Sequence, residues 1–340
     1  MSQIAMDVHK KRSVSACQSP ALEEPKIVRC YTTRAGIAKM LGTMPRPWIV
    51  CLEATRQSPA VVRWLRELEV EEIHLVDARG LKGYREGKPK TDARDAKEML
   101  ALLQVGRLPK AYLAPPEVQE VRALTRAREY VRRGSTSLRN QLRALLNQQG
   151  LEVPARDLCG LGGQRQLADS IAQLGPHGQT AGQQLNPLLL ATEQALDVLD
   201  AQVREELARQ PVAQALMALP GIGAVTALAL VAELGEIERF EDLAHLLSYA
   251  GVAPRANDSD DHQGQRHLPQ RCNKRLRHLA IQAAQAASRS GQPSHARRTY
   301  QRLRGRGLPA NTAKIAAARD LLKDVFYGWK QAAGGTARAA

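Results

Sequence analysis

From Glu117 to Gln149 the chain carries one glycine, Gly134, and no proline. Apolar residues return there every seventh position at Leu124, Val131, Leu138 and Leu145, joined by Val121 and Leu142. An unbroken run with that stripe predicts a long amphipathic helix, suited to one arm of a coiled coil. It divides the chain, because an α/β pattern precedes it and a helical pattern follows it. Arg128, Arg132, Arg139 and Arg143 fall within about 60° of one another on a 100°-per-residue wheel, beside the apolar stripe. They read either as a solvated basic face or as a stripe that tracks phosphates.

Upstream, IAMDV, SVSACQ and KIVRCYTT are short β-branched runs broken by turn residues. A helix is expected from about Arg34 to Leu41, a strand at PWIVCLEA, a helix from about Ser58 to Leu68, a strand at EIHLVDA and a helix opening near Thr91. The order βββαβαβα fits a mixed sheet with helices on its faces. Downstream, residues 151–182 are rich in Gly and Gln and read as a loose connection, before a second helix from about Asn186 to Arg209 that runs back against the first. From Pro211 the pattern is helical, with a turn at Leu219-Pro220-Gly221-Ile222-Gly223 and a last helix from Thr312 to about Lys330. The expected domains are an α/β domain at 1–112, a helical spacer at 113–210, a helical C-terminal domain at 211–330 and a frayed tail at 331–340.

Charge narrows the function. The chain has 340 residues, a formal net charge of +15 and only 4% aromatic residues. From Gly251 to Ala340 there are 17 Lys and Arg against 5 Asp and Glu, so this quarter supplies +12 of the excess. A polyanion is the expected partner. No segment there has Trp, Phe and Leu on one helix face and lysines on the other, so nucleic acid is favoured over a membrane surface. With few aromatics, phosphate contacts should dominate and binding should be steeply salt-dependent. The longest apolar stretch, about Ala224 to Ala232, is far short of the ~20 residues that span a bilayer. The opening MSQIAMDVHKKRSV lacks a secretory signal's apolar region, so a cytoplasmic protein is expected. Cys17, Cys30, Cys51, Cys159 and Cys272 never form a CxxC pair, against both a disulfide framework and a thiolate zinc site.

Four acids stand out before the long helix. Asp7 sits among the apolar residues of the first strand, and Glu53 ends the strand Trp48–Leu52. Asp92 and Asp95 lie three apart on one helix face. If the two strands are neighbours, four carboxylates converge at one end of the sheet, and their repulsion calls for cations. Two Mg²⁺ (or Mn²⁺) ions would resolve it, hard ions being favoured over zinc by carboxylates. Each acid also has a plain structural reading: Asp92 suits the first turn of a helix capped by Thr91, and Asp7 suits a pair with Lys10 or Arg12.

The turn Pro220, Gly221, Ile222, Gly223 between helices has the shape of a helix-hairpin-helix. Its glycines would let backbone N–H groups approach a phosphate, although an ordinary αα-hairpin has the same pattern. The polar loop Arg255 to His262 is followed by Arg266, His267, Arg271, Asn273, Lys274, Arg275 and Arg277. Ser259 in that loop would be a nucleophile whose target phosphate those cations hold, but spacing alone carries this weakly.

The order MDVHK, CLEAT, KTDARDA, LPGIGAVTALALVAELGEI, LLSYAGVAPR and NKRLR, over about residues 4 to 280, resembles the DEDD transposases of bacterial insertion sequences. These are the "one-ten" insertion-sequence family, also described as bridge-RNA-guided recombinases. The resemblance implies a ribonuclease-H-like domain similar to Holliday-junction resolvases, a coiled-coil spacer and a C-terminal transposase domain with a catalytic serine. Carried over by position, the DEDD set falls on Asp7, Glu53, Asp92 and Asp95, and the serine on Ser259. Two positions depart from the pattern: Asp260 and Asp261 follow the serine where the family has Gly, and Cys272 stands where it has Gly before Asn273. Ser248 is the fallback nucleophile.

The expected function is a site-specific DNA recombinase at the bacterial nucleoid that moves its own insertion sequence. A noncoding guide RNA is implied by the resemblance alone. A homodimer or homotetramer held by the helices of residues 116–209 is expected, with a composite site between subunits. Two alternatives stay open: a Holliday-junction-type metal-dependent endonuclease using the same acids with water, and a catalytically impaired nucleic-acid-binding remnant.

Overall fold

The computed structural model describes residues 1–81, 91–152, 157–254 and 268–336, which form two compact units, Met1–Ala114 and Pro115–Ala340. The first unit follows the expected βββαβαβα order: β1 (Ser2–Val8), β2 (Arg12–Gln18), β3 (Lys26–Tyr31), α1 (Arg34–Leu41), β4 (Trp48–Glu53), α2 (Ser58–Glu67), β5 (Glu72–Val76), the short α3 (Ala78–Leu81) and α4 (Asp92–Gln104). The sheet order is β3-β2-β1-β4-β5, antiparallel across β3, β2 and β1 and parallel across β1, β4 and β5. This mixed sheet is consistent with the ribonuclease-H-like domain that the resemblance implies.

Strand periodicity explains the two faces. Side chains alternate along a strand, so Ile4, Met6 and Val8 of β1 join Val50 and Leu52 of β4 in a core with Val61 and Leu65 of α2. The intervening residues, Ala5 and Cys51, pack on the other face against Ala96, Met99 and Leu100 of α4. β4 lies between two parallel neighbours and is covered on both faces, which is why it reads as a continuous apolar run. Thr33 and Thr91 cap α1 and α4, each hydroxyl accepting from a backbone N–H three residues on.

The second unit is helical: α5 (Pro116–Asn147), α6 (Leu161–Ala172), α7 (Pro176–Ala208), α8 (Pro211–Leu216), α9 (Ala224–Leu234), α10 (Leu243–Ala250), α11 (Lys274–Arg289), α12 (His295–Gly305) and α13 (Ala310–Thr336). The apolar helix α9 is buried between α5, α7 and α11, and the main core gathers α8 through α13. Among the described residues, no helix is long and apolar enough to cross a membrane.

Three expectations need correction here. The Gly/Gln-rich stretch is not loose, because α6 and α7 occupy most of it. Its glycines answer to packing: a Cβ on Gly163 would overlap the Asp157 carbonyl oxygen, and one on Gly182 would lie 2.8 Å from Ile171 Cγ1. The last helix runs on to Thr336, so most of the expected frayed tail is helical.

The long helix α5 forms as expected, but its buried seam is rotated. Val121, Thr125, Ser135, Leu142 and Leu146 are buried, while Leu124, Val131, Leu138 and Leu145 are half-buried. α7 runs antiparallel to α5 and presents Gly182, Leu189, Leu196 and Val203, at intervals of seven. The middle of the seam is ionic. Arg128 pairs with Asp200 at 2.7 Å, Arg139 with Glu193 at 2.9 Å, and the Ser135 hydroxyl donates to Glu193.

Candidate active site

Asp7 and Glu53 meet because β1 and β4 are parallel neighbours. The register pairs Met6 with Leu52, and Asp7 and Glu53 occupy the next position, at the carboxyl ends of both strands. By alternation each follows Ala5 or Cys51, placing both acids on the α4 face. α4 meets that face with its first turn. Asp92 and Asp95 lie one turn apart, Asp95 buried beside Ala96 and Asp92 half-exposed.

His9 joins the two sides. Its Nε2 lies 3.4 Å from Asp7 Oδ2 and 3.4 Å from Asp92 Oδ1. One ligand atom from each of Asp7, His9 and Asp92 falls within 4.8 Å of the other two. The sequence reading missed His9, although it keeps the alternation of Ala5 and Asp7 just past the end of β1.

Burial pushes the Asp7 carboxyl above its ordinary range. His9 pulls it down, and the neighbouring Asp92, Glu53 and Asp95 push it up again. The described acids therefore feel one another around a nearly buried Asp7. A set of carboxylate oxygens with one imidazole suits a hard or borderline divalent cation, as the resemblance to the DEDD transposases implies.

In the second unit the expected nucleic-acid residues divide. Arg271 and Lys274 are exposed. Arg277 turns inward, donating to the Pro269 carbonyl and lying 2.9 Å from Cys272 Sγ, so it braces the loop rather than facing solvent. Cys272 also packs on Gly251, where φ is +71° and a Cβ would strike the cysteine side chain. Arg128 and Arg139 are held by acids of α7, Arg143 is half-buried on α5, and Arg132 is exposed. Ser259 and Arg266 lie outside the described residues. The fallback Ser248 is half-buried in α10.

The turn before α9 lies between two helices, as expected. Gly221, with φ of +87°, presses its bare Cα against the α11 backbone at Ala283 and Ala287, and Ile222 is buried in the main core. Helix packing by itself requires a glycine there. Pro220 is half-buried, and only Gly223, which caps α9, has open space around it.

Residues 4–150 match the model of the DEDD transposases of IS110-type elements, and residues 213–301 match that of the transposase IS116/IS110/IS902 family. The chain belongs to this family of transposases. A probable family 20 transposase of Pseudomonas aeruginosa is 27% identical over 327 residues, 94% of each chain. An uncharacterized 44.8 kDa protein of insertion element IS116 from Streptomyces clavuligerus is 36% identical over 131 residues, 38% of this chain and 32% of that protein. The transposase of element IS1111A from Coxiella burnetii is 28% identical over 180 residues, 51% of this chain and 48% of that one. The alignments thus span about a third of the IS116 protein, about half of the IS1111A transposase and nearly all of the Pseudomonas protein. In this IS110-type chain the matched DEDD segment contains all four acids of the site.

Proposed function

We infer that this chain is a DNA recombinase that excises and inserts its own insertion sequence, with Asp7, Glu53, Asp92 and Asp95 holding divalent cations and Ser259 as nucleophile. The observation that carries the reading is the convergence of Asp7, His9 and Asp92 on the α4 face at the ends of two parallel strands, where Glu53 and Asp95 also act on Asp7. Mg²⁺ or Mn²⁺, as a pair, would supply Lewis-acid polarisation of the scissile phosphate. His9 positions Asp92 against Asp7. The Ser259 Oγ attacks phosphorus and displaces the 3′-oxygen, leaving a 5′-phosphoserine. The 3′-hydroxyl of a partner strand then displaces the serine, so phosphodiester bonds are conserved and no nucleotide cofactor is consumed. Arg271 and Lys274, with the basic tail, hold backbone phosphates. Family resemblance adds a guide RNA that pairs with donor and target; the turn Pro220–Gly223 would act as a helix-hairpin-helix, the helices of residues 116–209 would hold a dimer or tetramer, and the protein would work at the nucleoid.

The test is to incubate the purified chain with its cognate RNA, Mg²⁺ and nicked suicide substrates carrying the element junction, and to look for a covalent protein–DNA adduct on denaturing gels. An adduct lost in both Ser259→Ala and Asp92→Asn is the expected result. Cleavage without adduct, unaffected by Ser259→Ala, sinks the serine mechanism in favour of a resolvase-like nuclease. Binding with no cleavage supports the impaired remnant.

A further inference from the structure

Three helices of the second unit enclose a cavity of about 580 Å³, between one face each of α5, α9 and α11. Five arginines and His278 line it, against two acids, Glu129 and Glu233. Glu233 is committed elsewhere, since it is buried and paired with Arg126. Glu129 is different. Arg133 of its own helix donates to Oε1, and Arg275 of α11 donates to Oε2 at 2.7 Å. One carboxylate thus draws together two guanidinium groups from different helices, as a phosphate with two free oxygens would. All three side chains remain partly exposed, at 24% for Glu129, 63% for Arg133 and 42% for Arg275. The exposed Arg132 lies at the same cavity, and among the described residues no Phe, Tyr or Trp lines it.

The geometry points to a backbone site for DNA in this groove, at which Glu129 competes with a DNA phosphate for Arg133 and Arg275. The inference rests on the transposase reading for its ligand class, and adds where the backbone is gripped and what opposes it. Arginine forks match phosphate oxygens, and a lining dominated by arginines favours contacts to the backbone. Glu129 weakens non-productive binding, because a phosphate must displace it before two arginines become available. Replacing an acid and replacing an arginine of this one cluster therefore have opposite effects.

The experiment measures affinity for a labelled DNA duplex by anisotropy over a KCl series, with full-length protein carrying Asp92→Asn so that no chemistry intervenes. Arg132→Ala and Arg275→Ala each lower the log–log salt slope by about 1, and Glu129→Gln tightens binding by about threefold to tenfold with a steeper slope. Arg132→Ala guards against misfolding, since Arg132 is exposed at the cavity lip and its loss leaves the Glu129 cluster intact. Weaker binding by Glu129→Gln reduces the cluster to a structural brace and overturns the proposal. An equal drop in slope from Arg289→Ala, exposed on α11 outside the groove, overturns it in favour of a general positive field. A response seen only with an RNA hairpin of equal length overturns the assignment to DNA. The predicted response in the Asp92→Asn series, together with no covalent adduct from the chain with Asp92 intact, upholds the groove while sinking the serine mechanism, and an adduct without that response sinks the groove alone.

Discussion

Arg126 of α5 grips Glu233 of α9 through both edges of its guanidinium, Nε to Oε1 at 2.8 Å and Nη2 to Oε2 at 3.0 Å. Glu233 is 2% exposed and also accepts from Asn273 Nδ2 at 3.0 Å, while Arg122 donates to the carbonyls of Ala232 and Glu233. Asn273 in turn caps α11 through its Oδ1 and reaches the Tyr249 hydroxyl. One carboxylate therefore ties α5, α9, α10 and α11 together. Replacing Arg126 by Ala strands a buried charge and should cost about 3 kcal/mol in urea unfolding.

The same pair sets an acid limit. Burial alone would raise the Glu233 carboxyl, but hydrogen bonds from Arg126 and Asn273 and the charges of Arg126 and Arg122 bring it below the usual range. A group lowered in the folded state contributes stability above its unfolded pKa, of about 4.3, and loses it as pH falls through the folded value. The second unit of Glu233→Gln should therefore lose less stability than that of the unaltered protein between about pH 5 and pH 3, the window in which a carboxylate of ordinary unfolded pKa takes up its proton. Tryptophan fluorescence of acid titrations, read from Trp329 in the main core, checks this.

At the acid cluster, divalent cations should raise the melting temperature of the unaltered chain by mass action. His9→Ala should weaken that cation binding by about 10- to 100-fold, the usual cost of losing a group that orients a ligand. Asp7→Asn should abolish the shift. Calorimetric titration with Mn²⁺ reads all three, and an undiminished affinity in Asp7→Asn would remove Asp7 from the ligand set.

Glycine substitutions separate packing from composition. Gly163→Ala, which drives a methyl into the Asp157 carbonyl, should destabilise by about 1–3 kcal/mol. Gly134→Ala in the middle of α5 meets nothing within 4 Å and should stabilise by about 0.5–1 kcal/mol. Thermal melts of the two variants should move in opposite directions.

Much of the first unit was legible because its chemistry follows simple periods. Two-residue alternation placed Asp7 and Glu53 on the α4 face once β1 and β4 paired, and three-residue spacing put Asp92 and Asp95 on one turn. His9 escaped notice because it lies beyond the strand's last paired residue, where a side chain is easily taken for a turn. The helical seam was misread for a different reason. A hydrophobic stripe assumes an apolar partner throughout, but α7 also offers Asp200 and Glu193, so Arg128, Ser135 and Arg139 occupy the middle of the seam, while Leu138, Leu142, Leu145 and Leu146 pack together towards one end. Gly163, Gly182 and Gly221 look like loop residues in sequence, and only the close approach of a neighbouring backbone or side chain reveals why they are needed.

The ionic middle of the α5–α7 pair has a consequence beyond stability. A seam of leucines alone would tolerate a shift of one turn, about 5.4 Å, at little cost. Here such a slip would part Arg128 from Asp200 and Arg139 from Glu193 together, leaving four partly buried charges unmatched. The two long helices are thus keyed to a single alignment.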